Sequence, residues 1–523
     1  MQIATIVSGS TTEGLKGRVR ENYSVEDLRV GQFSVIEGER ARYFSMITDI
    51  NLSANPELLF APPEKGSFKA RVLHGSGTYG EVTIKPMLQL KEGEDLKPVK
   101  TIPVHFSPLN VATEEDFKLV FGTEDKEHFN IGQPLDMDIP VCLNLPKFVE
   151  RSNGVFGKSG TGKSFLTRLL LCATIKNNTA VNLIFDMHNE YGWESQSEGK
   201  TKVKGLRQLF PGKVKVFSLD PESSRARGVS VDSEVTIGLD QISVGDLSLL
   251  QNELGLSQAA LDNAYLLDKE FGENWIRQIL DTEPLAIKGL ADKIGGNDLS
   301  INALKRKVGS LTNFKFLRDN QDESTIQELV NNLDKGIHVV IEFGRYRNPR
   351  AYMLVANIIT RKLHELYVRK TEKHLNSGNE ADRPKQLVIT IEEAHKFLNT
   401  AVARYTIFGE IAREMRKYNV TLLIVDQRPS SIESEILSQI GTRVTALLND
   451  EKDIEAVFTG VSGSRALKQI LATLDSKQQA LIMGHATPMP VVIRTRSYDA
   501  EFYKAIGSGE QKSEQETVQD LFG

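Results

Sequence analysis

The chain of 523 residues reads as an α/β protein. It is expected to hold a mainly parallel sheet, with a small β-barrel before it and a helical subdomain inserted within it. Three observations predict this. From Asp138 onward, short apolar runs alternate with helical stretches, as in a parallel sheet covered on both faces. The residues up to about position 110 instead carry short alternating runs with Gly and Pro punctuation, the mark of β-structure. Residues 242–335 then break the α/β alternation with leucines at helical spacing.

Taken in order, Gln2–Ser8, Gln32–Ile36, Ala41–Thr48, Phe68–Leu73 and Gly80–Pro86 are the expected strands of a small β-barrel over residues 1–110, which later strands can share. Residues 111–137 are charged and without clear pattern, and read as a connection. The α/β core is expected over 138–500. Its strand candidates are Asn153–Phe156, Val181–Asp186, Val214–Leu219, Ile337–Phe343, Leu387–Ile391, Leu422–Val425, Val444–Leu448 and Ala480–Met483. The inserted stretch, which includes DLSLLQNELGLSQAALDNAYLLDKEF (246–271), is expected to pack on itself. Residues 501–523 form a polar, acidic tail of disordered composition.

Composition narrows the class. Net charge is −5, with 40% hydrophobic and 25% charged residues. A chain so balanced is not as a whole an electrostatic glue for nucleic acid, although a locally basic pore remains compatible. Cys142 and Cys172 are far apart in sequence and read as reduced packing residues. The start, MQIATIVSGSTTEG, has neither a basic region nor a long apolar run, and no stretch reaches the ~18 apolar residues of a membrane span. The expectation is a cytoplasmic protein with no membrane contact.

The chemistry begins at Gly157-Lys158-Ser159-Gly160-Thr161-Gly162-Lys163-Ser164, a complete G-x-x-x-x-G-K-[ST] phosphate-binding loop. Its glycines let backbone N–H groups close around phosphate oxygens, Lys163 brings a charge to the outer phosphates, and Ser164 is placed to ligate Mg²⁺. An apolar strand (Asn153–Phe156) precedes it and an apolar helix (Phe165–Ile175) follows, so the helix N-terminus faces the loop. ATP with Mg²⁺ is the expected ligand. The second signal is LVITIEEAH (387–395), an apolar strand ending in two carboxylates. One is needed for the metal and the next to polarise an attacking water; Glu392 is assigned to the first role and Glu393 to the second. Glu at the metal position is a departure from the commoner Asp.

A third cluster follows at 411–429, IAREMRKYNVTLLIVDQRP. Arg413, Arg416 and Lys417 share one helix face, and a strand delivers Asp426-Gln427-Arg428-Pro429 to its carboxyl end. No arginine follows the phosphate loop closely enough to be an obvious local finger. An arginine on this helix therefore suits the neighbouring site of an oligomer, and Gln427 suits sensing of the γ-phosphate. Asp186-Met187-His188-Asn189-Glu190-Tyr191 closes another strand, either as part of the site or as a simple turn.

In their order and spacing, these motifs resemble the HerA family of RecA-like ATPases in the HerA/FtsK clade, over residues 1–500 or so. The resemblance implies a RecA-like P-loop ATPase core with an N-terminal barrel of the HAS type. It implies a homo-hexameric ring that hydrolyses ATP to move on double-stranded DNA with a nuclease (NurA-like) or sirtuin-like effector, in DNA-end processing or antiphage defence. Carried over, Lys163 and Ser164 serve phosphate and Mg²⁺, Glu393 is the base, Gln427 the sensor, Arg416 the first finger candidate and Arg413 the second. Asp426 and Met415 depart from the family's usual small polar residue and Gly. The alternatives are a ring scaffold for an effector and a protein-remodelling ATPase. Lys200–Lys204 with Arg207, and Gly344–Arg350, are the candidate DNA loops.

Overall fold

A computed structural model describes residues 1–54, 64, 67–68, 77–91, 93–94, 96–135, 137–196, 202–319, 324–346, 348–461, 465–475 and 477–507. The chain divides into two compact units, Met1–Asn144 with Gly460–Thr495, and Leu145–Thr459 with Arg496–Gly523.

In the first unit, Gln2–Ser10, Pro108–Val111, Phe33–Glu37, Arg42–Ala54, Thr78–Leu90 and Gly14–Val19 pair in that order, each antiparallel to the next. Gly14–Val19 pairs back onto Gln2–Ser10 and closes a six-stranded barrel. Closure leaves no free edge between these strands. Alternation puts Ile3, Ile6, Leu15, Ile36, Ile47, Val82, Ile84 and Leu109 inside. The expected strand Phe68–Leu73 falls, after its first residue, outside the described residues.

The expected connection 111–137 is folded. Thr113 and Asp116 form a reciprocal capping box on the helix Glu114–Phe121, which supplies two of the helix's unsatisfied N-terminal donors with partners. The helix lays Phe117 and Phe121 against Phe33 and Phe44, with ring centroids 5.4 to 6.3 Å apart. His128–Pro134 then joins a second, antiparallel group in the order Gln479–Gly484, Val491–Thr495, His128–Pro134, Val141–Asn144. The expected boundaries at 110 and 138 therefore move, because hydrogen bonds between strands distant in sequence draw 128–144 and 479–495 together.

In the second unit the strands lie in the order Ser233–Glu234, Val214–Ser218, His338–Glu342, Val181–Asp186, Leu387–Glu392, Val420–Asp426, Asn153–Phe156, Thr442–Thr445, all parallel. The central strands are buried along their whole length, as a sheet covered on both faces requires. Parallel strands align their carboxyl ends, so Glu342, Asp186, Glu392 and Asp426 stand in a row on one sheet edge. The expected Val444–Leu448 strand is shorter and earlier, at Thr442–Thr445.

The insertion is helical, as expected, with Trp275, Leu261, Leu267, Ile301 and Leu304 in its interior. Buried Asp246 ties it to the long helix Pro349–Ser377. Its carboxylate accepts from the Ser243 N–H and hydroxyl, the Asn357 amide and the Arg361 guanidinium at 2.7 to 2.8 Å. The expected tail from 501 gives way to a helix, Ala500–Ala505. Asp499 caps that helix through the N–H groups of Glu501 and Phe502, and Phe502 is buried. Residues 508–523 lie outside the described residues.

Candidate nucleotide site

The strand Asn153–Phe156 runs directly into Gly157, and the helix Lys163–Lys176 starts behind Gly162, which offers no side-chain cap. Helix N-terminal N–H groups left without a capping side chain attract an anion. A side chain at Gly157 would place its Cβ 2.8 Å from the Thr161 hydroxyl and 2.9 Å from Ala446 Cβ, so the close approach requires glycine. Thr161 donates its hydroxyl to the Lys158 carbonyl at 2.7 Å, and the Lys163 ammonium donates to the same carbonyl at 3.0 Å.

Around Lys163 the strand ends supply acids. Burial draws its ammonium below the ordinary lysine range, while Glu393, Asp426, Glu392 and Glu190 pull it back. The sequence-predicted loop, the two acidic residues and Gln427 thus converge on one place.

The two adjacent carboxylates differ sharply in surroundings. Glu392 is buried. Its Oε1 accepts the Tyr191 hydroxyl at 3.0 Å, and its Oε2 has no hydrogen-bond partner among the described residues. Burial pushes its carboxyl well above the usual range, and Asp186 and Glu190 add to the push. A buried, open carboxylate oxygen is suited to a cation, whose charge would restore the ionised form. Glu392 Oε2 offers such an oxygen to Mg²⁺, and the uncapped helix start behind the loop suits the phosphates of ATP.

Glu393 leaves the strand with φ of 50° and its side chain is 24% exposed. A non-glycine residue held in that region is strained and persists only where its surroundings enforce it. The Gln427 amide lies 3.4 Å from both Glu393 carboxylate oxygens, and His395 Nδ1 lies 3.6 Å from one.

Asp426, a departure from the usual family residue, organises this corner. Its buried carboxylate accepts from the His395 N–H at 2.6 Å, His395 Nδ1 at 3.0 Å and the Arg428 N–H at 2.7 Å. Asp426 holds the His395 imidazolium above its ordinary range, against the effect of burial. That stabilisation is complete below about pH 6.5, the unfolded histidine value, and fades as pH rises through the raised folded value. Denaturant unfolding of His395→Gln should therefore show its largest deficit against the unaltered chain at the acid end of pH 6–8, shrinking towards the alkaline end.

Asp186 closes the 186–191 segment as a turn, accepting from the N–H groups of Glu190, Tyr191 and Gly192. Burial, with Glu342 nearby, pushes its carboxyl up to about 7. Sequence reasoning overlooked Arg168, one helical turn after Ser164. It is buried and donates to the Glu190 carbonyl and the Ser195 hydroxyl, so it braces this turn against the loop helix. Burial and these two bonds keep Arg168 from acting as a finger, so it is a brace and not a local catalytic arginine.

Of the two finger candidates, the described side chain, Arg413, is engaged by acids of the chain itself. Arg413 is 2.5 Å from Glu433 and 3.5 Å from Glu435. Arg416 lies in the turn Met415–Tyr418, with its side chain outside the described residues. Three of the described basic residues in the candidate DNA loops are paired within the chain. Arg345 forms a forked pair with Asp220 at 2.8 and 3.0 Å and reaches Glu222, and Arg207 is engaged by the Val214 carbonyl and Asp232. Lys202 pairs with Glu194 at 2.7 Å. Lys200 and Arg347 lie outside the described residues.

Residues 129–363 match the family model "Helicase HerA, central domain". The central domain is of the HerA helicase type. The match takes in the phosphate loop, the Asp186–Tyr191 turn and the helical insertion. The chain is similar to the DNA double-strand break repair helicase HerA of Sulfolobus acidocaldarius, 22% identical over 485 residues, covering 91% of this chain and 90% of that one. It is also similar to the protein of the same name from Sulfurisphaera tokodaii, 24% identical over 404 residues, covering 76% and 74%. Among solved structures, VirB4 of Thermoanaerobacter pseudethanolicus aligns with a TM-score of 0.46 at 14% identity, covering 73% of this chain and all of that one. Among the described residues, no helix is long and apolar enough to cross a membrane.

Proposed function

We propose that the chain is an ATP-driven motor on double-stranded DNA. It works as a homo-hexameric ring in the cytoplasm with a nuclease or sirtuin-like effector, in DNA-end processing or phage defence. The observation that carries the reading is the meeting of a complete phosphate loop with Glu393 and Gln427 inside a HerA-type fold.

Bound Mg·ATP supplies the phosphoanhydride and the cation charge. The chain's residues do the rest. Lys163 and the loop N–H groups bind the phosphates, and Ser164 with Glu392 holds the metal. Glu393 is the carboxylate that water can reach, and it orients that water and takes its proton. Gln427, beside it, senses the γ-phosphate. Arg416, with Arg413 second, serves the neighbouring subunit's site. For Arg413 to act so, it must leave Glu433.

A motor that tolerates every sequence grips phosphates. Duplex binding by the assembled protein should fall steeply as salt rises and vary little among sequences, because each neutralised phosphate releases counterions. A salt titration against duplexes of different composition measures both. Absence of duplex binding at low salt would overturn the DNA reading and leave a ring that serves a protein partner.

A further inference from the structure

The Tyr352 hydroxyl grips one residue from both sides. It donates to the Glu392 carbonyl and accepts from the Glu392 N–H, each at 2.9 Å. Tyr352 stands near the start of the helix Pro349–Ser377 and is fully buried. Its ring is locked between Phe343 and Phe397, with centroids 5.1 and 5.3 Å away. The hydroxyl therefore has a fixed address.

What it holds is the last residue of the acidic strand, just before the backbone turns to the left-handed φ of 50° at Glu393. That turn takes the Glu393 carboxylate out of the buried row and sets it beside Gln427. Such a conformation survives only when neighbouring structure over-determines it. The two tyrosines divide the work: Tyr191 bonds the Glu392 side chain, while Tyr352 bonds its peptide groups.

We infer that Tyr352 is a positioning residue whose hydroxyl, by holding the Glu392 backbone at both its N–H and its carbonyl, sets where the Glu393 carboxylate stands. The inference rests on the reading of Glu393 as the base. A base displaced by a fraction of an ångström loses rate without losing substrate.

The test is Tyr352→Phe, which keeps the ring and removes only the hydroxyl. The kcat of ATP hydrolysis should fall on the order of 10-fold, with KM for Mg·ATP held within about twofold. Tyr367→Phe is the control, since that hydroxyl is buried on the same helix with no hydrogen-bond partner among the described residues; it should leave kcat unchanged. In a Glu393→Gln background, Tyr352→Phe should cost less than about twofold more, because a residue acting through Glu393 has nothing left to position. The same roughly 10-fold loss in both backgrounds would overturn the inference. So would a rise in KM that accounts for the defect, or a deficit that vanishes once kcat is corrected for the folded fraction from thermal unfolding. Near-normal hydrolysis by Glu393→Gln alone would refute the base assignment itself, and the inference would fall with it.

Discussion

Glu393→Gln is expected to bind Mg·ATP as the unaltered chain does and to hydrolyse it at least ~100-fold more slowly, a loss of the size a general base contributes. The side chain keeps its size and its place beside Gln427, so binding has no reason to change. Glu392→Gln should behave differently. Glu392 is buried, bonded to Tyr191 and open at one oxygen. Loss of its charge should appear as an abnormal Mg²⁺ requirement. Single-turnover hydrolysis across a Mg²⁺ titration separates the two. Equal, Mg²⁺-independent losses in both variants would overturn the division of roles.

Arg416→Ala should bind ATP nearly normally and hydrolyse it on the order of 10³-fold more slowly, the scale of a finger supplied in trans. Arg168, the arginine nearest the loop in sequence, is committed to the Glu190 carbonyl and Ser195. Arg413 is committed to Glu433. Mixing Arg416→Ala with Lys163→Ala gives the sharper result. Some interfaces of a mixed ring pair an intact loop from one variant with an intact Arg416 from the other, so partial activity should return. Mixed assemblies as inactive as either parent would place Arg416 in its own subunit's site or in the interface alone.

The site was legible in the sequence wherever a motif is contiguous. The phosphate loop, the Glu392-Glu393 pair and Gln427 could be read because each follows an apolar strand, and parallel strands bring their carboxyl ends to one edge. What could not be read is what crosses the sheet. Tyr352 lies in an apolar helix among residues whose spacing announces only burial. Its bond to Glu392 spans 40 positions. Asp426 looked like a departure because its role depends on His395 across a neighbouring strand end. Arg168 was passed over because a cation in an apolar helix carries no sign of the carbonyl it will meet. The partners of basic loop residues were equally hidden: Arg345 and Arg207 stand in candidate DNA loops, and the fold gives both of them carboxylates distant in sequence. The barrel was visible from alternation. The limits of the core were not, because the pairing of 128–144 with 491–495 is a tertiary choice.

Translocation itself is tested most directly by displacement of a third strand from a triplex embedded in long duplex DNA. The assembled protein should displace that strand with ATP and Mg²⁺, and should fail to do so without ATP or when built from Glu393→Gln. Duplex-stimulated hydrolysis with no displacement, or displacement that proceeds equally without ATP, would contradict an ATP-driven motor on double-stranded DNA.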